Sequence, residues 1–290
     1  MTVGDRASGT VRPVEQRPVT PVARERFAVF GSPLSHTLSP KIHRAYAAQF
    51  GKTIDFRSIE VTGNRFPAAL ANFAAAGGRG ANLTSPLKEG VLPLCRELSA
   101  RAARCGSVNT LVRNHAGWYG DTTDGAGLLR DLAIRANFDP SGARILLFGA
   151  GGAARAVAFA LLDAGAGFLF IANRTPERAE ALATALGPRS RAVPPDAIVM
   201  PFDLAINATT AGHCGIFPWP RIHARWARLA VDLSYGNAAG PFLAWAAESG
   251  ITAATDGLGM LVEQAAESFA IWHGRRPDTD SVYARLRGGA

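Results

Sequence analysis

The sequence predicts an α/β protein made of two α/β units, each with a mainly parallel sheet. Short apolar runs alternate along the chain with helical patterns rich in Ala and Leu, an order typical of parallel strands covered by helices. A glycine-rich turn at 149–154 joins one such run to a helix, as nucleotide-binding βα units do. The chain has 290 residues, 48% of them hydrophobic, which is enough for two buried cores.

Charge and cysteine content narrow the class of protein. The formal net charge is +8, and the 28 arginines are scattered among acidic residues while lysine occurs only three times. Since no helix-turn-helix, zinc-finger or RNA-binding motif accompanies this charge, it favours small anionic ligands over nucleic acid. Cys95, Cys105 and Cys214 form no CxxC pair, unlike a disulfide framework or a cysteine zinc site.

Membrane and metal sites are not expected either. The longest apolar stretch, near residues 156–172, is interrupted by Asp163 and by glycines, which is unlike a membrane span. The six histidines show no spacing typical of metal ligands. We therefore expect a cytoplasmic protein of a reducing compartment, without a metal.

Residues 1–24 are predicted to be a disordered extension. They contain Pro13, Pro18 and Pro21 and show no apolar periodicity. They also lack the hydrophobic segment of a secretory signal, and Asp5 and Glu15 are atypical of a transit peptide.

The first α/β unit begins at residue 25. The predicted strands are Phe27–Phe30, Asp55–Val61, Gly80–Leu83, Val108–Arg113 and Gly117–Tyr119, the last two forming a hairpin. The predicted helices run from Pro40 to about Phe50, from Phe66 to Ala76, and onward from near Pro86. Ser39, directly before Pro40, is the expected N-cap of its helix.

The second unit begins near Asp124 and continues the alternation to about Thr255. Its predicted strands are Arg144–Phe148, Phe168–Ala172, Leu204–Ile206 and Leu229–Leu233. Its predicted helices are Gly125–Arg135, one from the glycine turn to about Ala164, and one opened by Thr175 and Pro176. A last helix is predicted over Met260–His273.

A GxGxxA motif stands between a predicted strand and a predicted helix, at Gly149, Ala150, Gly151, Gly152, Ala153 and Ala154. Gly149 allows a tight turn, Gly151 lets a pyrophosphate approach the backbone, and Ala154 permits close helix packing. The helix N-terminus offers N–H groups and positive potential to phosphates. The motif indicates a dinucleotide site, the alternative being glycines that only form a turn.

The end of the next strand indicates which dinucleotide binds. An NAD site has Asp or Glu there, whereas this chain has Asn173, Arg174 and Thr175, with Arg178 one turn further on. Two guanidinium groups beside a helix N-terminus suit a 2′-phosphate, so the sequence favours NADP over NAD. The alternative is that Thr175 only caps the helix, Pro176 takes its first position, and both arginines are solvated.

Lys88 and Asp124 are candidates for proton transfer. Lys88 falls in the first turn of the helix predicted after Pro86, and a lysine can exchange a proton where an arginine cannot. Asp124 lies just before a helix, where a carboxylate stays ionised and either caps N–H groups or orients a lysine. Asn109 fits either a turn or a ligand hydroxyl. Chance placement of the lysine and plain capping by the aspartate remain alternatives.

Two further pairs are candidates for ligand contacts. Thr37 and Ser39, with nearby N–H groups, form a plausible cradle for a carboxylate. Met260 and Gln264 are four residues apart and share a helix face. That face either looks into a cleft or packs in the core. His43, on an Ala-rich helix, is interpreted as a packing or surface residue.

Taken together, these segments resemble the shikimate dehydrogenase family over residues 27 to about 286. The matching motifs, in order, are Phe30–Pro33, Thr37–Pro40, Gly80–Lys88, Val108–Thr110, Gly120–Gly125, Gly149–Ala154, Asn173–Thr175, Ile206–Thr209 and Asp256–Ala266. Many ordered matches at family-like spacing are far more specific than any one of the motifs.

The resemblance implies NADP-linked interconversion of 3-dehydroshikimate and shikimate, on the route to aromatic amino acids. It implies a substrate domain formed by residues 25–123 and 258–287 and an NADP-binding Rossmann domain formed by residues 124–257. A cleft separates the two domains, and the C-terminal helix returns to the substrate domain. The expected partners are the small-molecule substrate and NADP, with the chain a monomer or a homodimer.

The resemblance also assigns roles to individual residues. Lys88 and Asp124 become the catalytic pair, either of which can be the formal acid. Thr37, Ser39 and Thr84 hold the substrate carboxylate, helped by Tyr235. Asn109 and Gln264 bind ring hydroxyls, and Asp124 also binds the substrate, beside its reacting hydroxyl. The NADP site is formed by Gly149, Ala150, Gly151, Gly152, Ala153, Asn173, Arg174, Thr175, Arg178, Thr209, Leu233, Gly257 and Met260.

One position departs from the family pattern and leaves alternatives open. Thr37 stands where family members usually have the first serine of Ser-x-Ser. Its extra methyl group narrows the carboxylate end of the pocket, and variation here is associated with relatives that accept quinate. We expect a strong preference for shikimate. The alternatives are a quinate or aminoshikimate dehydrogenase and a catalytically silent relative that only binds NADP(H) or shikimate-like acids.

Overall fold

The computed structural model describes Met1, residues 24–220 and residues 227–289. The predicted extension at residues 1–24 lies almost wholly outside this part of the chain. No helix among the described residues is both long enough and apolar enough to cross a membrane.

The first half of the chain forms a six-stranded sheet with the order β2-β1-β3-β5-β6-β4. Its strands are β1 (Arg26–Gly31), β2 (Asp55–Glu60), β3 (Gly78–Leu83), β4 (Glu97–Leu98), β5 (Thr110–Asn114) and β6 (Gly117–Asp121). The helices between them are α1 (Ser39–Gln49), α2 (Phe66–Ala75), α3 (Leu87–Gly90) and α4 (Ala100–Cys105). β1 pairs in parallel with β2 and β3, and β5 pairs antiparallel with β3 and β6.

The second sheet has the order β12-β11-β10-β7-β8-β9, with every pairing parallel. Its strands are β7 (Arg144–Phe148), β8 (Phe168–Ala172), β9 (Ser190–Ala192), β10 (Leu204–Asn207), β11 (Leu229–Asp232) and β12 (Ala254–Thr255). Its helices are α6 (Gly152–Asp163), α7 (Pro176–Leu186) and α8 (Gly240–Glu248). The chain leaves β7 toward β8 and later returns to β10 on its other side, so the switch point of this sheet lies at the carboxyl end of β7. Ligands of such sheets bind at this point.

Three helices complete the fold: α5 (Asp124–Ile134), α9 (Leu258–His273) and α10 (Asp280–Gly288). α5 leads from the first sheet to the second, and α9 leads back. Val262 and Phe269 of α9 join the core of the first sheet, where Tyr46 Oη donates to the Val262 carbonyl oxygen at 2.8 Å. The two crossing helices touch closely, because a Cβ atom on Gly127 would lie 2.6 Å from Gln264 Cβ.

The structure confirms most of the predicted elements and adds shorter ones. Strands β7 and β8 have the predicted bounds. Strands β4, β9 and β12 and helices α4, α8 and α10 were not predicted, and the strands are only two or three residues long. The N-cap prediction for Ser39 is wrong. The helix begins at Ser39 itself, after Leu38, without a side-chain cap bond. Of the two interpretations of His43, as a packing or a surface residue, the structure supports packing: His43 is fully buried and stacks on Phe56.

Candidate functional site

The predicted proton-transfer pair forms a direct ion pair. Lys88 lies on the short helix α3, directly after β3, and Asp124 is the first residue of α5. Lys88 Nζ donates to Asp124 Oδ2 at 2.6 Å, with the lysine side chain 15% and the aspartate side chain 5% exposed. The prediction that Asp124 orients a lysine fits this geometry, and the alternative that it only caps its helix does not.

Asn109 holds the other oxygen of that carboxylate. Its Nδ2 donates to Asp124 Oδ1 at 2.8 Å and lies 3.2 Å from Gln264 Oε1. Its Oδ1 accepts from the Thr123 N–H group at 2.8 Å and from Thr110 Oγ1 at 2.9 Å. All of these groups are buried, so the Asp124 carboxylate has one fixed orientation, with Oδ2 turned to Lys88.

Helix α9 brings Gln264 into this network and is itself held by α5. Asp131 of α5 accepts a hydrogen bond from the Met260 N–H group in the first turn of α9; burial raises the pKa of this carboxyl, and contact with Arg135 limits the rise. A Cβ atom on Gly259 would clash with Asp131. Glycine is therefore required where the carboxylate of α5 meets the start of α9.

The glycine turn has the geometry of a phosphate-binding βα turn. Gly149 has φ +111°, which is left-handed backbone, and a Cβ atom there would lie 3.1 Å from the Ala208 carbonyl group. Helix α6 begins at Gly152, with Gly151 as its N-cap residue and no side-chain cap bond. Ala154 is fully buried, as expected for close helix packing. The free N–H groups of α6 therefore lie at the carboxyl end of β7, the switch point of this sheet.

The same turn touches Lys88 of the ion pair. A Cβ atom on Gly152 would lie 2.8 Å from Lys88 Cβ and 2.9 Å from Ser107 Oγ. Only a glycine lets α6 approach α3 this closely. The two predicted sites, one for a nucleotide and one for proton transfer, are thus in van der Waals contact.

The residues after β8 lie at the surface beside this turn. Arg174, Thr175 and Arg178 are exposed, and Asn173 Nδ2 donates to the Thr175 carbonyl oxygen at 2.8 Å. Thr175 is the N-cap residue of α7 and Pro176 its first residue, as predicted, but Thr175 makes no side-chain cap bond. Arg178 forms an ion pair that the sequence did not predict, described below.

The carboxyl ends of β10 and β11 complete this edge. The Thr209 N–H group and Oγ1 both donate to Asn207 Oδ1, at 3.0 and 2.7 Å. Gly257 packs on Leu233, because a Cβ atom there would lie 2.4 Å from the Leu233 carbonyl oxygen. Asp232 is fully buried and accepts from Asn207 Nδ2 at 2.8 Å; burial raises its pKa to about 7.

The predicted carboxylate cradle lies at the carboxyl ends of β1 and β3. These neighbouring parallel strands bring the loop with Thr37 and Ser39 and the loop with Thr84 to one sheet edge. Thr37 Oγ1 lies 3.3 Å from Ser39 Oγ. Tyr235, from the other sheet, donates to the His36 carbonyl oxygen at 3.3 Å; burial raises its pKa, and its neighbours Leu38 and Thr37 limit the rise.

Behind the site lie residues that the sequence analysis does not name. Asn82 Nδ2 contacts Ser268 Oγ at 3.0 Å, and Ser268 Oγ lies 2.8 Å from Thr110 Oγ1. Ser268 had a signal, since it follows Gln264 by four residues on the same helix face. Glu263 is a second residue that the sequence analysis does not name; it is fully buried and forms an ion pair with Arg135 at 2.9 Å.

Comparison with known proteins agrees with this architecture. Family profiles match residues 29–111 (shikimate dehydrogenase substrate binding domain), 131–222 (shikimate / quinate 5-dehydrogenase) and 257–287 (shikimate 5′-dehydrogenase C-terminal domain). A shikimate dehydrogenase (NADP(+)) from Xanthomonas euvesicatoria pv. vesicatoria is 52% identical over 269 residues, which are 90% of this chain and 95% of the relative. The chain belongs to the shikimate dehydrogenase family.

Similar solved structures have the same fold. Shikimate 5-dehydrogenase from Thermus thermophilus, in complex with NADP(H) and shikimate, matches with a TM-score of 0.78 at 33% identity, covering 92% of this chain and 100% of that one. An Ael1 enzyme from Pseudomonas putida matches with a TM-score of 0.82 at 38% identity, covering 90% of this chain and 98% of that one. The resemblance seen in the sequence is therefore confirmed for both the family and the two-sheet α/β fold.

Proposed function

We propose that this shikimate dehydrogenase family member catalyses the reversible NADPH-dependent reduction of 3-dehydroshikimate to shikimate, in the route to aromatic amino acids. The single observation that carries the proposal is the contact between the glycine turn and Lys88. A nucleotide held at the N-terminus of α6 would lie beside the buried Lys88–Asp124 pair. A module that only binds a ligand has no need of such a pair.

The residues at the edge of the second sheet fit NADP. Gly149 provides the left-handed turn, and the side of Gly151 where a side chain would stand is open apart from Glu89 Oε1 at 3.9 Å. Arg174 and Arg178 would bind the 2′-phosphate at the start of α7, since Asn173 directly follows β8 at the position where an NAD site has a ribose-binding carboxylate. Ala150, Gly152, Ala153, Asn173, Thr175, Thr209, Leu233, Gly257 and Met260 would form the rest of the site.

NADP(H), when bound, supplies or accepts the hydride. The protein's part is to move a proton at the reacting oxygen. Lys88 Nζ stands 2.6 Å from Asp124 Oδ2, so the pair can pass a proton to the reacting oxygen of the substrate or take one from it. Charges in this site are poorly screened, which strengthens their effect. Asn109 keeps Asp124 aimed at Lys88 and prevents the carboxylate from rotating away.

The remaining polar groups would orient the substrate. Thr37, Ser39, Thr84 and Tyr235 would bind its carboxylate, and Asn109 and Gln264 its ring hydroxyls. Thr37 keeps the hydroxyl that a serine would offer but adds a methyl group. We propose that this narrows the site enough to disfavour quinate, whose C1 carries an additional hydroxyl.

The proposal includes a division of the chain. Residues 25–123 and 258–287 would form the substrate domain, and residues 124–257 the NADP domain. The packing of α9 in the core of the first sheet supports this division. A cytoplasmic location and a monomer or homodimer remain predictions.

The test is NADP⁺ reduction at 340 nm with shikimate, compared with NAD⁺ and with quinate. We expect activity with shikimate and NADP⁺, and a Lys88→Ala variant whose kcat is lower by about 10²–10⁴-fold, the usual contribution of a positioned acid–base group. The Kd for NADP⁺ of this variant should change little. NADP⁺ binding without turnover of any of these substrates would favour the silent binding relative, and comparable kcat/KM for quinate would refute the selectivity.

A further inference from the structure

Glu89 links an element of the first sheet to an element of the second through an ion pair. It follows Lys88 on α3, which belongs to the first sheet, while Arg178 lies on α7, which covers the second. The Arg178 guanidinium donates to Glu89 Oε1 at 3.2 Å and lies 3.5 Å from Oε2. Both carboxylate oxygens of Glu89 therefore face the arginine that is proposed to bind the 2′-phosphate.

The same carboxylate stands in front of the glycine turn. Glu89 Oε1 is 3.9 Å from the position of a Cβ atom on Gly151, and it is the nearest atom outside the turn. Gly151 is the N-cap residue of α6, where the pyrophosphate is proposed to bind. Glu89 thus places a negative charge between the two phosphate-binding elements.

A carboxylate in this position resembles a phosphate group in charge and in acceptor geometry, but it binds an arginine more weakly than a phosphate does. Arginine binds phosphate and carboxylate through the same planar arrangement of donors, and a phosphate monoester carries more charge and one more acceptor oxygen. The Glu89 and Arg178 side chains are 45% and 54% exposed, so water and salt weaken their attraction. An incoming 2′-phosphate can therefore take the arginine from Glu89.

We propose that Glu89 competes with the 2′-phosphate of NADP for Arg178 and so sets both the affinity for the cofactor and the preference for NADP over NAD. This inference rests on the proposed function, because it takes NADP as the cofactor. Glu89 does not touch the reacting atoms. It is a specificity-determining residue that weakens cofactor binding and so favours release of the cofactor after turnover.

The experiment measures binding, without turnover, by calorimetric titration of NADP⁺, NAD⁺ and adenosine 2′,5′-bisphosphate. Glu89→Gln keeps the shape of the side chain and removes its charge. We expect it to lower the Kd for NADP⁺ and for the bisphosphate by about 3- to 10-fold, as for loss of one partly screened competing charge. The Kd for NAD⁺, which lacks the 2′-phosphate, should fall by less than twofold. The KM for NADP⁺ should fall with the Kd, without an increase in kcat.

Two further variants make the test specific. Glu97→Gln removes the same charge from an exposed position on the edge strand β4 and should leave every Kd unchanged. In an Arg178→Ala background, Glu89→Gln should change the Kd for NADP⁺ by less than twofold, because the arginine it competes for is gone. Thermal unfolding of each variant checks that the fold is kept.

Several results would overturn the inference. These are an unchanged or higher Kd for NADP⁺ in Glu89→Gln, equal tightening of NADP⁺ and NAD⁺, or a gain that persists in the Arg178→Ala background. Failure of the wild-type chain to bind NADP⁺ would contradict the proposed function, and this inference with it. Normal wild-type binding that Glu89→Gln does not tighten contradicts the inference alone.

Discussion

Replacing Gly152 by alanine would test whether the contact between the glycine turn and Lys88 matters for catalysis. The added Cβ atom would lie 2.8 Å from Lys88 Cβ and 2.9 Å from Ser107 Oγ. Carbon atoms in contact are most stable at about 3.5–4.0 Å, so α3 and α6 must separate by roughly 1 Å. Lys88 would then lose its 2.6 Å contact with Asp124.

The largest expected effect is on kcat. A displacement of about 1 Å at a catalytic group can lower the rate by roughly 10²-fold, and we expect a loss of this size. The free energy of unfolding should fall by about 1–3 kcal/mol, the usual cost of adding a methyl group to a close-packed contact. The Kd for NADP⁺ should stay within about threefold, as the N–H groups of α6 remain in place.

Gly240→Ala is the matched control. Gly240 is the first residue of α8, as Gly152 is of α6, and a Cβ atom there would have no neighbour within 4 Å. The assays are kcat and KM at 340 nm and thermal unfolding. If Gly152→Ala keeps the wild-type kcat, or if Gly240→Ala loses as much, the argument from close contact is refuted.

Two further predictions concern buried carboxylates outside the Lys88–Asp124 pair. Glu263→Gln should lower the free energy of unfolding by about 3 kcal/mol, because it removes the fully buried charge that pairs with Arg130, Arg135 and Arg276 at 3.1, 2.9 and 2.6 Å. Chemical denaturation measures this free energy. A loss below about 1 kcal/mol would show that these ion pairs contribute no more than pairs on the surface. Burial raises the pKa of Asp232 from 3.8 to about 7, so between these pH values the native state keeps a proton that the unfolded chain releases. The protein therefore loses stability as the pH rises from about 4 to about 7. Relative to Asp232→Asn, the wild type should therefore lose on the order of 2 kcal/mol of stability between pH 5 and pH 8, and a difference that does not vary with pH would contradict the raised pKa.

The long, regular elements could be predicted from the sequence because their residues repeat a simple pattern. Strands β7 and β8 are continuous apolar runs, as expected for parallel strands buried on both faces. The two-residue strands β4 and β12 contain no period that could be recognised. At Ser39 the order of residues indicated a cap, but the backbone enters the helix one residue earlier.

The candidate site divides in a similar way. Lys88, Asp124 and the glycine turn stand in local motifs, so their neighbourhood could be predicted before their contact was seen. The pairing of Glu89 with Arg178 could not, because both are ordinary charged residues, 89 positions apart in the chain. The ion pairs of Glu263 could not be predicted either, because in the sequence Glu263 is only one charged residue within an apolar helix face. Its partners come from α5 and from the segment after α9.

The two helices that cross between the sheets also limit how the sheets can move. Helices α5 and α9 lie side by side in close contact, at Gly127 and Gln264. The two sheets could rotate relative to each other about an axis through both helices. Twisting or sliding of one sheet against the other would instead separate the helices and break this contact. Any such rotation would keep Lys88 and the glycine turn in the same register.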